Sequence, residues 1–78
     1  MKIYTFSEYI EINGKEVDGE FFEFYDKRHA KKAALNLAKK LNKYVFVTCQ
    51  NNRRSLTFYR AYPDGSFVCT EKNVTYNN

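Results

Sequence analysis

Between Tyr25 and Lys43 the chain reads YDKRHAKKAALNLAKKLNK, and this stretch limits the possible folds more than any other. Ala30, Ala33, Ala34, Leu37, Ala38 and Leu41 fall at the i, i+3, i+4, i+7, i+8 and i+11 positions, which line one side of a helix. The stripe is mostly alanine, so the helix can lie close on whatever it covers. Asp26 is the expected N-cap, since its carboxylate can accept from the free amides of the first turn. Asn42 is the expected stop. Opposite the stripe project Arg28, Lys32, Lys39 and Lys43, flanked by Lys31 and Lys40, and Leu35 also falls on this outer side.

The segments on either side of this helix alternate like strands. Tyr4, Phe6, Ile10 and Ile12 share one parity of residues 2–12, with Ser7, Tyr9 and Glu11 on the other. Asn13-Gly14 is a strong hairpin signal, because both residues accept positive φ. A second strand runs from about Glu16 to Tyr25 and ends in Phe21-Phe22-Glu23-Phe24-Tyr25, with aromatics on both parities. After the helix, Tyr44 to Gln50 forms a third strand, with Val45, Val47 and Cys49 facing one way and Tyr44, Phe46 and Thr48 the other. Asn51 to Arg54 is a polar loop and Ser55 to Tyr62 a fourth strand. Tyr62-Pro63-Asp64-Gly65 is a tight turn. Ser66 to Glu71 is a fifth strand. The tail is polar and frayed, with Val74 and Tyr76 able to continue a pairing.

The order β-β-α-β-β-β, with hairpins at both ends, predicts an α+β fold. It is a two-layer domain: a five-stranded, mostly antiparallel sheet with one amphipathic helix on one face. Seventy-eight residues make a single domain over 1–78. The chain holds seven Phe and seven Tyr, too many to fit beneath one alanine-striped helix. Some of Tyr9, Phe22, Phe24, Tyr44, Phe46, Tyr59 and Tyr62 are therefore expected on the open face or its rim. Such a patch marks a binding or dimer contact, unless the sheet curls and buries it.

Charge is unevenly spread. Residues 1–25 carry two lysines against six carboxylates, whereas residues 26–43 carry seven Lys or Arg against Asp26 alone. So many cations with one acid make a face that is not laced with ion pairs. Arg53-Arg54 adds charge in a loop. Such a patch suits phosphate backbones. The acidic hairpin from Glu16 to Glu23 instead suits a cationic groove, by imitating phosphates.

Little here points to catalysis. His29 is the only histidine, in the first turn of a lysine-rich helix, where a surface role is expected. Three glycines without a cluster give no phosphate loop. Cys49 and Cys69 sit in strand-like segments and are expected to be buried, reduced thiols. With one histidine they cannot complete a structural zinc site. Met1-Lys2-Ile3-Tyr4 begins directly in a strand pattern, so no secretory signal is expected, and no apolar run approaches spanning length. The expectation is a cytoplasmic non-enzyme without cofactor, metal or membrane contact.

Lys27-Arg28-His29-Ala30-Lys31 resembles the Lys-Lys-x-Ala-Lys that opens the last helix of double-stranded-RNA-binding domains, over about residues 8–41. That resemblance implies phosphate contacts by Lys27, Arg28 and Lys31. Over nearly the whole chain the layout is similar to small phage-encoded anti-CRISPR proteins that inhibit the multisubunit Cascade surveillance complex. The features are MKIY opening a strand, DKRHAKKAA starting the helix and YPDGSFVC as the last hairpin. This resemblance implies a phage inhibitor in the host cytoplasm, binding a host protein or ribonucleoprotein complex and blocking target DNA. It also implies non-specific attraction to double-stranded DNA or RNA.

The reading is thus a non-catalytic binding protein, monomeric or weakly homodimeric. The alternative is a direct double-stranded nucleic-acid binder. The residues expected to carry binding are Lys27, Arg28, Lys31, Lys32, Lys39, Lys40, Arg53, Arg54, Tyr59 and Tyr62.

Overall fold

The computed structural model describes residues 2–75, with the backbone alone for Tyr9, Ile10, Glu11, Val17 and Asp18. Its elements are β1 (Ile3–Ile12), β2 (Lys15–Phe24), α1 (Lys27–Leu41), β3 (Val45–Asn52), β4 (Ser55–Ala61) and β5 (Phe67–Thr75). The strands form one antiparallel sheet in the order β2-β1-β3-β4-β5, with α1 on one face. This is the α+β architecture that the element order predicts.

Local chemistry sets the boundaries. Asn13 and Gly14 take φ of 53° and 79°, the doubly positive pair that a two-residue hairpin needs. The Asp26 carboxylate accepts from the Arg28 amide at 2.8 Å and opens α1. Asn42, left-handed at φ 56°, closes it. In the β4–β5 turn the Gly65 amide donates to the Tyr62 carbonyl at 3.0 Å, and Asp64 accepts from the Ser66 amide at 2.8 Å.

The core lies between α1 and the sheet. Ala30, Ala34, Leu37 and Ala38 are buried against Tyr4, Phe6, Val45, Val47, Cys49 and Ala61. A helix is about 10 Å wide and strands are about 4.8 Å apart, so one helix covers the middle of a five-stranded sheet and leaves both sides bare. Aromatics fill those sides on the helix face. Phe6 stacks with Phe22 (5.1 Å) and Phe24 (5.8 Å) on one flank, and Tyr59 stacks with Phe67 (4.9 Å) on the other. Phe22, Phe24 and Tyr59 therefore pack against the core, so these three of the seven aromatics named for the open face or its rim lie on the helix side. Leu35 also turns inward and packs on the core, because flanking aromatics widen the apolar layer beyond the alanine stripe. Tyr9's side chain and Tyr76 lie outside the described residues.

The sheet is not continuous. β1 pairs with β3 only over Ile3–Thr5. Beyond that the β1–β2 hairpin is tied to the helix end by two ion pairs, Lys40–Glu8 at 3.8 Å and Lys43–Glu16 at 3.9 Å. Ile12, expected inside on parity, is 51% exposed, since its end of β1 has left β3. In β2, Gly19 and Glu20 stand where the ladder shifts register opposite Glu8. A Cβ on Gly19 would come within 2.8 Å of the Glu8 carbonyl oxygen, so the bulge needs glycine there.

The third strand continues through Asn51 and Asn52, where a loop is expected, and β5 reaches Thr75, beyond the expected end at Glu71. One side chain accounts for much of this. The Asn51 amide nitrogen lies 3.1 Å from Ser55 Oγ, 2.7 Å from Thr57 Oγ1 and 3.2 Å from Asn73 Oδ1. The Asn73 amide donates to Thr57 Oγ1 at 3.2 Å, at a left-handed residue with φ 52°. This network fastens the ends of β3, β4 and β5 together.

Candidate binding surfaces

The outer side of α1 presents Lys27, Arg28, Lys31, Lys32, Lys39 and Lys40, all exposed. They differ in what they already touch. Arg28 donates to Asp26 Oδ2 at 3.1 Å and Oδ1 at 3.4 Å. These bonds hold the Asp26 carboxyl down at about 2. Lys27 Nζ lies 5.2 Å over the Tyr59 ring and Lys31 Nζ lies 5.9 Å from the Phe67 ring centre. Lys40 is paired with Glu8. Lys32 and Lys39 have no ion-pair partner among the described residues.

The helix thus has two unlike flanks. Toward β1–β2 its lysines meet carboxylates. Toward β4–β5 they lie over aromatic rings, which attract a cation without neutralising it. Tyr59 belongs to this second flank as the ring beneath Lys27.

Arg53 and Arg54 form the exposed turn between β3 and β4. Both β2 and β3 run antiparallel to β1, so the helix joining them returns along the sheet. Its first turn lies at the end that carries the β3–β4 turn. The topology therefore puts Arg53 and Arg54 at the Lys27–Arg28 end, while Lys39 and Lys40 lie at the other.

The acidic hairpin is less free than its composition suggests. Glu16 pairs with Lys43, and the Tyr25 hydroxyl donates to Glu23 at 2.9 Å. Both acids are engaged within the chain, which weakens the expected imitation of a phosphate row.

The opposite face of the sheet has no helix. There Tyr44 (47% exposed) meets Tyr62 at 5.9 Å, and Phe46 (43% exposed) stacks with Phe58 at 5.4 Å. The Arg60 guanidinium lies 4.7 Å over the Tyr44 ring. Of the aromatics expected on the open face, Tyr44, Phe46 and Tyr62 are found there. Phe58 and Arg60 are additions that the alternation of β4 could have supplied: Thr57, Tyr59 and Ala61 face the helix, so Phe58 and Arg60 must face away. The ten residues expected to bind are therefore divided among the helix layer, the Arg53–Arg54 turn and the open face, where Tyr62 lies.

The thiols differ from expectation in one respect. Cys49 is buried, as expected, and burial pushes its thiol up despite Lys2 and Lys27 nearby. Cys69 is exposed although its cross-strand partner Tyr59 packs on the core, because it stands on the edge strand β5, beyond the reach of the helix. Burial also pushes the Tyr4 hydroxyl up to about 12. Among the described residues no three His, Cys, Asp or Glu side chains gather as a metal site, and no helix is long and apolar enough to cross a membrane. Compared with known proteins, the chain matches no family model, no curated protein and no solved structure.

Proposed function

We propose that this chain is a non-catalytic binding protein that engages a host nucleic-acid-handling complex through its cationic helix layer, as a phage inhibitor blocking target DNA would. The observation that carries the reading is the helix itself. Lys32 and Lys39 are exposed without ion-pair partners among the described residues, and Lys27 and Lys31 rest on rings that leave their charge intact. A surface of this kind meets an anionic partner and speeds its encounter. The inhibitor form rests on the resemblance of the chain's layout to the Cascade-directed anti-CRISPR proteins. Its test is to add the chain to a purified Cascade-type complex and follow target-DNA binding. The inhibitor reading expects target binding to fall as the chain is added, and less so with Lys32→Glu and Lys39→Glu; unchanged target binding at saturating chain contradicts it.

A second reading, direct binding of double-stranded nucleic acid, uses the same lysines. It is favoured by Arg53 and Arg54 lying at the Lys27–Arg28 end, which lengthens the cationic surface along the molecule. Its mark is affinity for duplex in the absence of any protein partner, falling steeply with salt as counterions are released.

A further inference from the structure

We infer that the uncovered sheet face is a stacking platform for single-stranded nucleic acid, built on Tyr44, Phe46, Phe58 and Tyr62 around Arg60. It is a separate surface from the helix layer, on the other side of the sheet, and stands on its own observations.

The register places these residues in one strip. Phe46 is the cross-strand partner of Arg60, which is the partner of Val68, and Thr48 is the partner of Phe58. Tyr44 precedes Val45, whose partner is Ala61, so Tyr44 and Tyr62 face each other just past the end of the ladder, with rings 5.9 Å apart. The rings are held by one another, yet Tyr44 and Phe46 keep nearly half of their surface open. Rigid, partly exposed rings are what a nucleobase stacks on, and stacking tolerates any base because every base has a π-face. In a duplex those faces are already covered by neighbouring bases, so the platform selects single strands.

Arg60 supplies the polar half of the recognition. Its Nε is sealed from solvent and has no hydrogen-bond partner, and no carboxylate pairs with its guanidinium among the described residues. An arginine lying on a tyrosine ring, with no carboxylate on it, offers its terminal N–H groups to a phosphate, while the sealed Nε takes no part. Beside the rings, Glu16, Lys43, Tyr44 and Phe46 line a pocket of about 190 Å³. That is below the roughly 300 Å³ at which small-molecule sites begin, so it takes a single ring and not a larger ligand.

Two features argue against a second copy of the chain as the occupant. A two-fold contact centred on the strip would bring two Arg60 guanidinia together. The contact area is also small. An aromatic side chain offers about 150–250 Å² when wholly exposed. Four rings at half exposure or less give a few hundred Å², short of the roughly 800 Å² per partner of a stable protein interface.

The test is fluorescence anisotropy of labelled oligo(dT) and oligo(rU), with a duplex of equal length as comparison, at low and moderate salt. Wild type should bind the single strands. Phe46→Leu keeps an apolar side chain in place but removes the π-face, and should weaken binding about tenfold with the melting temperature little changed, as expected for one lost base stack. Arg60→Gln should weaken binding and flatten its salt dependence. Lys72→Gln, exposed on the edge strand β5 and part of neither surface, should leave it within about twofold at moderate salt, where screening is short-ranged. Any of these results would overturn the inference: no single-strand binding by folded wild type at low salt; binding unaffected by Phe46→Leu, Tyr44→Ala and Arg60→Gln together; or a concentration-dependent dimer that Phe46→Leu dissolves, which would assign the face to a second copy. Loss of binding with Lys32→Gln and Lys39→Gln while the platform variants bind as wild type would move the single strand to the helix layer and likewise reject the platform.

Discussion

Two side chains show how single residues hold this fold. Asp26 caps α1 and is gripped by Arg28, which keeps its carboxyl at about 2, below the ordinary 3.8. A carboxyl depressed in the folded state stabilises it above the ordinary value and loses that effect as pH falls through the folded one. The melting temperature of wild type should therefore exceed that of Asp26→Ala by a full margin above about pH 4, and the margin should close toward pH 2. A margin that is constant down to pH 2 would show that the charge of Asp26 does not matter to the cap. Asn51 acts over a longer range. Asn51→Ala leaves Thr57 Oγ1, on a side chain that is 3% exposed, without its shortest hydrogen bond. Denaturant unfolding should show a loss of about 0.5–1.5 kcal/mol, the net worth of a hydrogen bond, since Thr57 Oγ1 keeps the Asn73 amide as a donor. Amide exchange should rise at the Ser55 and Thr75 ends of β4 and β5. An unchanged midpoint would mean that the network is incidental.

At the scale of elements, the alanine stripe sets how near the helix comes to the sheet. Ala30, Ala34 and Ala38 are wholly buried. Ala34→Leu must lift α1 or displace a neighbour, and should cost about 1–3 kcal/mol by thermal or denaturant unfolding. An unaltered stability would mean that the layer has slack. The elements also show what the sequence makes legible. The helix with both caps, the Asn13-Gly14 hairpin, the Pro63–Gly65 turn and the alternation of β3 are local, since each depends on residues a few positions apart, and each is found as read. What depends on distant partners was not legible. Asn51 looks like a loop residue until Ser55, Thr57 and Asn73 stand around it. Gly19 looks ordinary until Glu8's carbonyl closes on it. Ile12 has the right parity, but parity does not tell where β1 parts from β3. Which of the seven candidate aromatics face the open side is not legible either: Phe22, Phe24 and Tyr59 fill the flanks of a narrow helix, and that room depends on the sheet beneath it. Cys69 reads as an inside residue because its strand looks apolar, and it does share a face with Tyr59, but local pattern does not tell that β5 is an edge strand beyond the helix.

The whole molecule is two layers with extents of 36 × 27 × 19 Å, and its two outer faces differ in chemistry. One is a helix rich in cations. The other is a strip of aromatic rings around one arginine. The net charge of +4 lies mostly on the helix side, because residues 26–43 carry seven Lys or Arg against Asp26 alone. Of the candidate site, the helix lysines were legible from spacing alone. Their division into acid-paired and ring-supported flanks was not, since it depends on which strands lie beneath each side. The claim on which the functional account turns is that the helix layer faces an anionic partner. The most direct test is a gel-shift titration of duplex DNA and RNA at two salt concentrations, with wild type and with Arg28→Glu, Lys32→Glu and Lys39→Glu combined. The account predicts salt-sensitive binding near micromolar affinity by wild type, lost in the charge-reversed protein. No binding at low salt, or binding that survives the reversal, would contradict it.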